Sequence, residues 1–297
     1  MVGRMRALVR EQGGVRLRHL PLPVPGPGEV RVRVELAGVC RTDLQAARGL
    51  LPVREPRILG HEFAGTLDGL PVAVNPLLPC GACVRCAAGA LCSRPGLLGI
   101  HRDGAFAEAV AVPASCVHPM PAGLSFEAGA YAEPVAAALA VLQAGPRTRE
   151  RGLVAGGGRI ARLVERVLRA HGFRSLETGA GPFPEDAFDF AVETDPAALA
   201  EVLRAVRPGG RVVLKSRPSG PVPFDLALAV RKELVLAGAA WAPFPEALAF
   251  LASGKLDLEG LLGPALPLES FATLTDDESL KTFLRPVSVP RPVTLDS

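Results

Sequence analysis

The sequence has little excess charge and no long apolar run. Its formal net charge is only +3 over 297 residues, and the charges are dispersed, so we expect no nucleic-acid partner. The most apolar stretch, residues 134–142, is too short to cross a bilayer, so no membrane partner is expected. Arg4 and Arg6 interrupt the first residues, which argues against a secretory signal.

The composition is that of a chain with large buried cores. Hydrophobic residues make up 48% of the sequence, and the length of 297 residues is sufficient for two domains. Two domains of this size can bring residues from distant parts of the chain together at their junction.

Cysteine is scarce but concentrated. Four of the six cysteines fall within residues 80–92, in a glycine-containing stretch. Thiolates at this spacing can converge on one tetrahedral ion, usually zinc, and a pair of disulfides is the alternative. Metal-bound thiolates fit a reducing compartment, so a cytoplasmic location is expected. The predicted ligands of this closed, structural site are Cys80, Cys83, Cys86 and Cys92.

A second set of metal-binding residue types lies upstream. Cys40 supplies a thiolate, and the adjacent His61 and Glu62 supply an imidazole and a carboxylate. Such a mixed set suits an open site that leaves room for water or substrate. The sequence thus predicts two metal sites of different character.

These segments resemble the zinc-containing medium-chain dehydrogenase/reductase family, which includes alcohol, sorbitol, threonine and glucose dehydrogenases. The similarity follows the family order through nearly the whole chain. It is carried by Gly-Val-Cys-Arg-Thr-Asp (38–43), Leu-Gly-His-Glu-Phe-Ala-Gly (59–65), the cysteine stretch, Asp-Gly-Ala-Phe-Ala-Glu (103–108), Ala-Glu-Pro-Val-Ala-Ala-Ala-Leu (132–139) and Val-Arg-Pro-Gly-Gly-Arg-Val-Val-Leu (206–214).

The resemblance implies an α/β fold with two domains. A GroES-like, β-rich catalytic domain is expected over residues 1–135 and 264–297, and a Rossmann-type nucleotide-binding domain over 136–263. The alternation of apolar and polar residues over 30–36 indicates a strand of the first domain. A strand, a glycine turn and an amphipathic helix over 152–171 carry the dinucleotide fingerprint Gly156-x-Gly158-x-x-Ala161.

The predicted nucleotide domain is shortened. Only residues 179–187 separate its second strand from the strand at 188–192. A doubly wound parallel sheet normally places a helix, an outer third strand and another helix in that interval. We therefore expect a truncated Rossmann sheet that lacks the edge flanking the adenosine pocket.

Site roles follow from the resemblance. Cys40 and His61 are the expected ligands of a catalytic zinc, with Glu62 as a ligand or a carboxylate behind one. Glu133 matches a glutamate near the metal in sorbitol and threonine dehydrogenases, which favours polyol, sugar or amino-alcohol substrates. Thr42 corresponds to the hydroxyl that accepts the substrate proton, and Asp43 to the carboxylate that orients the histidine. Gln45 replaces a relay histidine found in many alcohol dehydrogenases.

The cofactor is expected to be NAD or NADP. The predicted pyrophosphate contacts are the fingerprint backbone, including Arg159 and Ile160, and the side chain of Arg41. Glu177 is the acid nearest the end of the second strand, where the family binds the ribose hydroxyls.

The predicted function is hydride transfer between an alcohol, polyol or sugar hydroxyl and NAD(P), catalysed with zinc. One alternative is a family member with intact metal sites that has lost dinucleotide binding and is not an oxidoreductase. A zinc-free reductase is the other, and Cys40, His61 and the four cysteines argue against it. The apolar strand at 234–238 predicts an exposed sheet edge, and the family pairs it across a two-fold axis. A homodimer or homotetramer is therefore expected.

Overall fold

Two sheet systems, one mainly antiparallel and one parallel, form the computed structural model of the chain. It describes residues 3–88, 90–218, 220–275 and 279–286. Up to residue 119 the elements are β1 (Arg4–Glu11), β2 (Gly14–Pro21), β3 (Glu29–Gly38), α1 (Arg41–Ala47), β4 (Arg57–Ile58), β5 (Glu62–Leu67), β6 (Leu70–Val74), β7 (Leu77–Leu78), α2 (Val84–Ala87), β8 (Gly96–Leu97), β9 (Ala109–Pro113) and β10 (Val117–Pro119).

Helices alternate with strands in the part that follows. These elements are α3 (Phe126–Ala130), α4 (Ala132–Gln143), β11 (Gly152–Ala155), α5 (Arg159–Ala170), β12 (Leu176–Gly179), β13 (Phe188–Glu193), α6 (Leu199–Ala205), β14 (Val206–Leu214), α7 (Leu226–Arg231), β15 (Val235–Gly238), α8 (Phe244–Ala252), β16 (Leu262–Pro267) and β17 (Lys281–Arg285). Short 3-10 turns occupy Ala114–Cys116, Pro196–Ala198 and Leu268–Thr273.

Strand β3 organises the larger antiparallel sheet. The sheet has the order β10-β6-β5-β3-β17-β16, and β9 also pairs with β3. The predicted alternation is confirmed, since Val32, Val34 and Leu36 are buried while Arg31 and Arg33 are exposed. Its smaller neighbours are the sheets β2-β1-β4 and β7-β8.

The second system is a five-stranded parallel sheet of order β12-β11-β13-β14-β15. Strands β11 and β13 have nearly continuous buried runs, as expected when helices cover both faces. Helix α5 begins at Arg159, directly after the glycine turn, and buries Leu163, Val164, Val167 and Leu168.

The truncation predicted from the sequence is confirmed. Strand β12 is followed by turns and extended chain over residues 180–187, and β13 then pairs directly with β11. In the order of a complete sheet, the third strand would lie outside β12. Strand β12 therefore forms one edge of the parallel sheet and β15 forms the other.

The chain returns to the first sheet at its end. Strand β17 pairs with β3, and β16 extends the same sheet. Of the expected C-terminal segment 264–297, residues 276–278 and 287–297 lie outside the described residues. Among the described residues, no helix has the length and apolar composition that crossing a membrane requires.

Candidate active site

A cleft of about 550 Å³ lies between the two sheet systems. This volume is typical of small-molecule sites. The first part of the chain contributes the start of α1, the start of β5 and Leu97 of β8. The second part contributes α4, the N-terminus of α5 and the loops after β13, β14 and β15. The carboxyl ends of parallel strands are where open α/β sheets bind ligands.

Three predicted metal ligands meet in this cleft. Ligand atoms of Cys40, His61 and Glu62 lie within 4.8 Å of one another. Cys40 precedes helix α1, whereas His61 and Glu62 stand at the beginning of β5. The structure thus brings a thiolate, an imidazole and a carboxylate within reach of one ion, a donor set that suits zinc. Because all three also line the cleft, ligands from it can approach the same ion.

Asp43 fixes the geometry of this group. The fully buried carboxylate accepts hydrogen bonds from the backbone N–H groups of Cys40 at 3.0 Å and Gly60 at 3.1 Å. Its Oδ1 also lies 3.1 Å from Nδ1 of His61, which is the predicted orienting contact. With Nδ1 occupied, the Nε2 atom of His61 is the one available to a metal.

The surroundings of His61 favour its charged form when no metal is bound. Burial alone would lower the pKa of His61, but the Asp43 carboxylate and the Cys40 thiol group outweigh burial and raise that pKa well above its usual value. A metal ligand must be neutral, so metal binding requires His61 to release a proton. Metal affinity should consequently fall as the pH decreases.

Glu62 is held by a buried lysine. Lys281, the first residue of β17, forms an ion pair with the Glu62 carboxylate, and both side chains are almost fully buried. Burial raises the pKa of Glu62, while the charge of Lys281 acts in the opposite direction. Lys281 pairs with Oε2 of Glu62. The other oxygen, Oε1, is directed toward His61 and lies 3.9 Å from its Nε2.

Glu133 lines the cleft but is outside the three-residue group. Its Oε1 accepts a 2.6 Å hydrogen bond from Nε1 of Trp241, which follows β15. Of the two glutamates considered as metal ligands, Glu62 therefore lies in the metal-binding group, whereas Glu133 is hydrogen-bonded to the indole of Trp241.

The other residues predicted to work at the reacting end of the cleft also line it. Thr42 Oγ1 lies 3.7 Å from the Cys40 sulfur, close to the predicted metal position. Arg41 and Gln45 line the cleft from the same helix. Tyr131 is buried beneath the cleft, where burial raises the pKa of its hydroxyl.

The glycine turn has the geometry of a dinucleotide fingerprint. Gly156 has a φ of +135°, and a Cβ there would lie 2.2 Å from Oγ1 of Thr194. Gly158 is the N-cap of α5, so the first N–H groups of that helix point out of the turn. Arg159 and Ile160, in the first turn of the helix, line the cleft.

Glu177 does not occupy the position expected of a ribose ligand. It lies opposite Leu153 in the middle of β12, two residues before the strand ends at Gly179. Its carboxylate forms a 2.5 Å ion pair with Arg151, which precedes β11 at the end of the sheet opposite the glycine turn. Glu177 is therefore directed away from the nucleotide-binding end of the sheet and does not line the cleft.

The cleft residues that the sequence did not indicate include three cations and an indole: Lys215, Arg217, Lys281 and Trp241. Lys215 and Arg217 follow the apolar strand β14. A cation just after a buried parallel strand indicates a ligand-binding position, and this pattern could have predicted both residues. Trp241 follows β15, and Lys281 is the first residue of β17.

The four clustered cysteines form a separate site. Their sulfur atoms all lie within 4.8 Å of one another, and three pairs are separated by 3.5, 3.9 and 4.0 Å. Tetrahedral zinc with Zn–S bonds of about 2.3 Å requires sulfur separations of about 3.8 Å. The six cysteines are free of disulfide bonds. This geometry favours a zinc site over the disulfide alternative.

The Cys83 thiol of this cluster has a lowered pKa, which favours its thiolate form. Hydrogen bonds from the backbone N–H groups of Ser93 and Cys86 lower the pKa of Cys83 to about 5. A hydrogen bond with the neighbouring Cys83 sulfur raises the pKa of Cys86 to about 11, because that bond favours the protonated form of the Cys86 thiol. A divalent cation would remove this conflict by stabilising all four thiolates together.

Comparison with known proteins agrees with the two-part architecture. Residues 26–122 match the alcohol dehydrogenase GroES-like domain. A 2-dehydro-3-deoxy-L-galactonate 5-dehydrogenase of Pseudoalteromonas atlantica is 30% identical over 79% of this chain and 83% of its own. An L-galactonate-5-dehydrogenase of Escherichia coli is 28% identical over 82% of this chain and 85% of its own.

A solved structure shows the same similarity over almost the complete chain. A Sinorhizobium meliloti 1021 protein, described as a zinc-binding dehydrogenase and bound to NADP, superposes with a TM-score of 0.86. It is 25% identical and is matched over 96% of this chain and 100% of its own.

We predict two zinc ions per chain, one for each ligand group. Cys92→Ser should leave one zinc and lower the melting temperature more than it lowers turnover, because a closed zinc site contributes folding free energy. Metal analysis and thermal unfolding test this. Cys116→Ala is the control, since Cys116 is buried outside both groups and should retain two zinc ions. Absence of zinc after mild purification, or disulfides in the Cys80–Cys92 segment by mass spectrometry, would contradict the prediction.

Proposed function

The chain belongs to the zinc-containing medium-chain dehydrogenase/reductase family, and from this premise we propose how its residues perform the family's reaction. The protein is a zinc-dependent oxidoreductase that transfers a hydride between an alcohol, polyol or sugar hydroxyl and NAD(P). The observation that carries the assignment of residues is the shared cleft. Cys40, His61 and Glu62 line its one wall, and the first turn of α5 lines the other.

We propose that Cys40, His61 and Glu62 hold the catalytic zinc. When bound, zinc lowers the pKa of the substrate hydroxyl, and the dinucleotide accepts the hydride. In oxidation, the hydroxyl proton passes to Thr42, the substrate carbon loses a hydride, and a carbonyl product forms. Asp43 keeps the His61 ring in place during this change because it holds Nδ1. Gln45 offers no proton relay, so the proton leaves through water.

The dinucleotide is proposed to bind at the N-terminus of α5. The backbone at Gly156 and Gly158 contacts the pyrophosphate, and Arg41 and Arg159 add positive charge from opposite walls of the cleft. Because the third strand is absent, the adenosine half has fewer contacts than in a complete sheet, and affinity should be correspondingly lower. Because Glu177 is paired to Arg151, it is not placed to bind the ribose hydroxyls of NAD, and it provides no selection of NAD over NADP.

We also propose that two chains associate through β15. This edge strand exposes Val235 and Leu236, and α7 beside it exposes Leu226 and Val230. Exposed apolar edges in natural proteins are usually covered. A two-fold pairing of β15 with its counterpart would continue the parallel sheets across the dimer. The free thiols support a cytoplasmic site of action.

Removing a ligand of the catalytic zinc should abolish turnover. Cys40→Ser and His61→Ala should each lower kcat/KM by about a thousandfold or more, which corresponds to about 4 kcal/mol of lost transition-state stabilisation. Steady-state assays with NAD and NADP across a set of alcohols and polyols measure this. Cys116→Ala serves as the matched thiol control, and circular dichroism checks the fold. Undiminished turnover in either ligand variant would exclude a catalytic role for this metal.

The glycine turn should be essential for dinucleotide binding. Gly156→Ala is strained by its φ of +135° and collides with Thr194, so NADH and NADPH should bind at least about tenfold more weakly. Gly157→Ala is the control, because a Cβ there meets nothing within 4 Å. Titrations followed by nucleotide fluorescence give both dissociation constants. If the unmodified protein binds neither dinucleotide at millimolar concentration, the alternative without oxidoreductase activity is favoured.

Charge on the exposed edge should disrupt association. Leu236→Arg should convert a dimer or tetramer into smaller species, since a cation on β15 would face its own copy across the two-fold axis. Light scattering after size-exclusion chromatography measures the mass. Val24→Arg is the control, because Val24 is an exposed apolar residue remote from β15. A concentration-independent monomer of the unmodified chain would refute the proposal.

A further inference from the structure

Trp241 is held in the cleft by the segment that follows β15. The backbone N–H of the next residue, Ala242, donates a 2.9 Å hydrogen bond to the carbonyl oxygen of Ala136 in α4. The central carbon of the Arg217 guanidinium lies 3.6 Å from the centre of the Trp241 ring. Stacking of a guanidinium on an indole restricts the plane of the ring. The indole N–H of Trp241 therefore points in one direction.

That N–H holds Glu133. Nε1 of Trp241 donates to Oε1 of Glu133 at 2.6 Å, and hydrogen bonds to an ionised acceptor are shorter than neutral ones. Glu133 stands in the first turn of α4, about one turn before Ala136. The segment after β15 thus contacts the same helix twice, once through a side chain and once through its backbone. An indole nitrogen is only a donor and carries no charge, so the bond fixes the carboxylate without neutralising it.

Glu133 stands next to the metal group without belonging to it. It lines the same cleft as Cys40, His61 and Glu62, but those three residues alone make up the close group at that place in the described part of the chain. Burial is the main cause of the raised pKa of Glu62, and the negative charge of Glu133 adds to the rise. Carboxylate oxygens are zinc ligands, so Glu133 would offer a fourth ligand if Trp241 released it.

A fourth protein ligand would change the character of the metal site. Catalytic zinc sites have three protein ligands and keep one position for water or substrate, whereas four protein ligands form a closed, structural site. The substrate oxygen must reach zinc for the pKa of the hydroxyl to fall. Whether Glu133 is held or released therefore decides whether the metal group can act on a hydroxyl.

We infer that Trp241 is a positioning residue that keeps Glu133 out of the metal coordination, so that the fourth position stays open for the substrate oxygen. This inference rests on the proposed function, because it concerns the same metal group and the same reaction. Trp241 acts through Glu133 and needs no contact of its own with the reacting atoms. The neutral indole leaves the charge of Glu133 in place, whereas a lysine or arginine there would cancel that charge.

Removing the indole N–H should close the metal site. Trp241→Phe keeps an aromatic ring for Arg217 but frees Glu133, so zinc should bind the catalytic group about tenfold more tightly. The substrate oxygen then competes with Glu133, and kcat/KM should fall about tenfold. Competition with a chromophoric chelator measures the zinc affinity, and Cys40→Ser identifies which bound zinc belongs to this group. Steady-state assays use the alcohol or polyol that the unmodified protein oxidises fastest.

A double-variant cycle separates positioning from a merely structural role. Glu133→Gln keeps the size of the side chain but replaces the carboxylate by a neutral amide, which is not a usual zinc ligand. In that background, Trp241→Phe should change neither the zinc affinity nor kcat/KM by more than about twofold. The matched control is Glu246→Gln, which removes an exposed glutamate from the first turn of α8, outside the cleft. In the control background, Trp241→Phe should retain its full effect.

The emission of Trp241 gives a readout that needs neither turnover nor a tryptophan variant. Trp241 is the single tryptophan of the chain, so the emission comes from the indole that contacts Glu133. The emission maximum of the unmodified protein should be the same with and without zinc in the catalytic group, because Glu133 stays on the indole. Glu133→Gln should shift the maximum, because a charged acceptor is replaced by a neutral one.

The outcomes separate this inference from the proposed function. Unchanged zinc affinity in Trp241→Phe would overturn the inference, and so would equal effects of Trp241→Phe with and without Glu133. A shift of the emission maximum on zinc loading as large as that of Glu133→Gln would also overturn it, since Glu133 would have left the indole for the metal. If the unmodified protein oxidises no alcohol or polyol with NAD or NADP, the proposed function fails. Zinc binding that Trp241→Phe tightens only when Glu133 is present would still support the inference.

Discussion

The active-site geometry depends on one buried carboxylate. Asp43 accepts hydrogen bonds from the backbone of Cys40 and Gly60 and holds the ring of His61, so it joins two segments that are about twenty residues apart in sequence. A carboxylate with no exposed surface is stable only when its oxygen atoms are so occupied. The start of α1 and the start of β5 are thereby locked together, and the metal ligands keep their mutual distances before any ion arrives.

The chain path supplies the rest of the cleft. After forming the parallel sheet it returns as β17, which pairs with β3 and delivers Lys281 to Glu62. A residue from the final part of the chain thus stabilises a carboxylate from the first sheet. The cleft consequently combines a wall that carries the proposed metal ligands, a wall that ends in the glycine turn, and the two cations that follow β14. Catalysis in such a site requires both sheets to be in place.

The sequence predicted the features that depend on contiguous residues. The four-cysteine group, the glycine turn and the missing third strand follow from local spacing or segment length, and the structure contains each of them. The Cys40–His61–Glu62 set joins two separate segments, and it followed from residue types and the family resemblance. The sequence did not predict the group formed by Lys215, Arg217 and Trp241. These residues come together only because β14 and β15 are neighbours in the folded sheet. Glu177 is the acid nearest the predicted end of the second strand, but it lies two residues before that end, and this distance along the strand moves its side chain away from the ligand-binding end of the sheet.

The shortened sheet has a consequence for how the protein avoids aggregation. Loss of the third strand turns β12 into an edge with unpaired backbone groups, which could recruit a strand of another chain. That edge is only four residues long and carries the Arg151–Glu177 ion pair beside exposed Thr178. Short length and charge make it a poor template, whereas the opposite edge presents Val235 and Leu236. Glu177 thus places a charge on this edge that discourages strand pairing, and the apolar edge at β15 is the one that we propose for association.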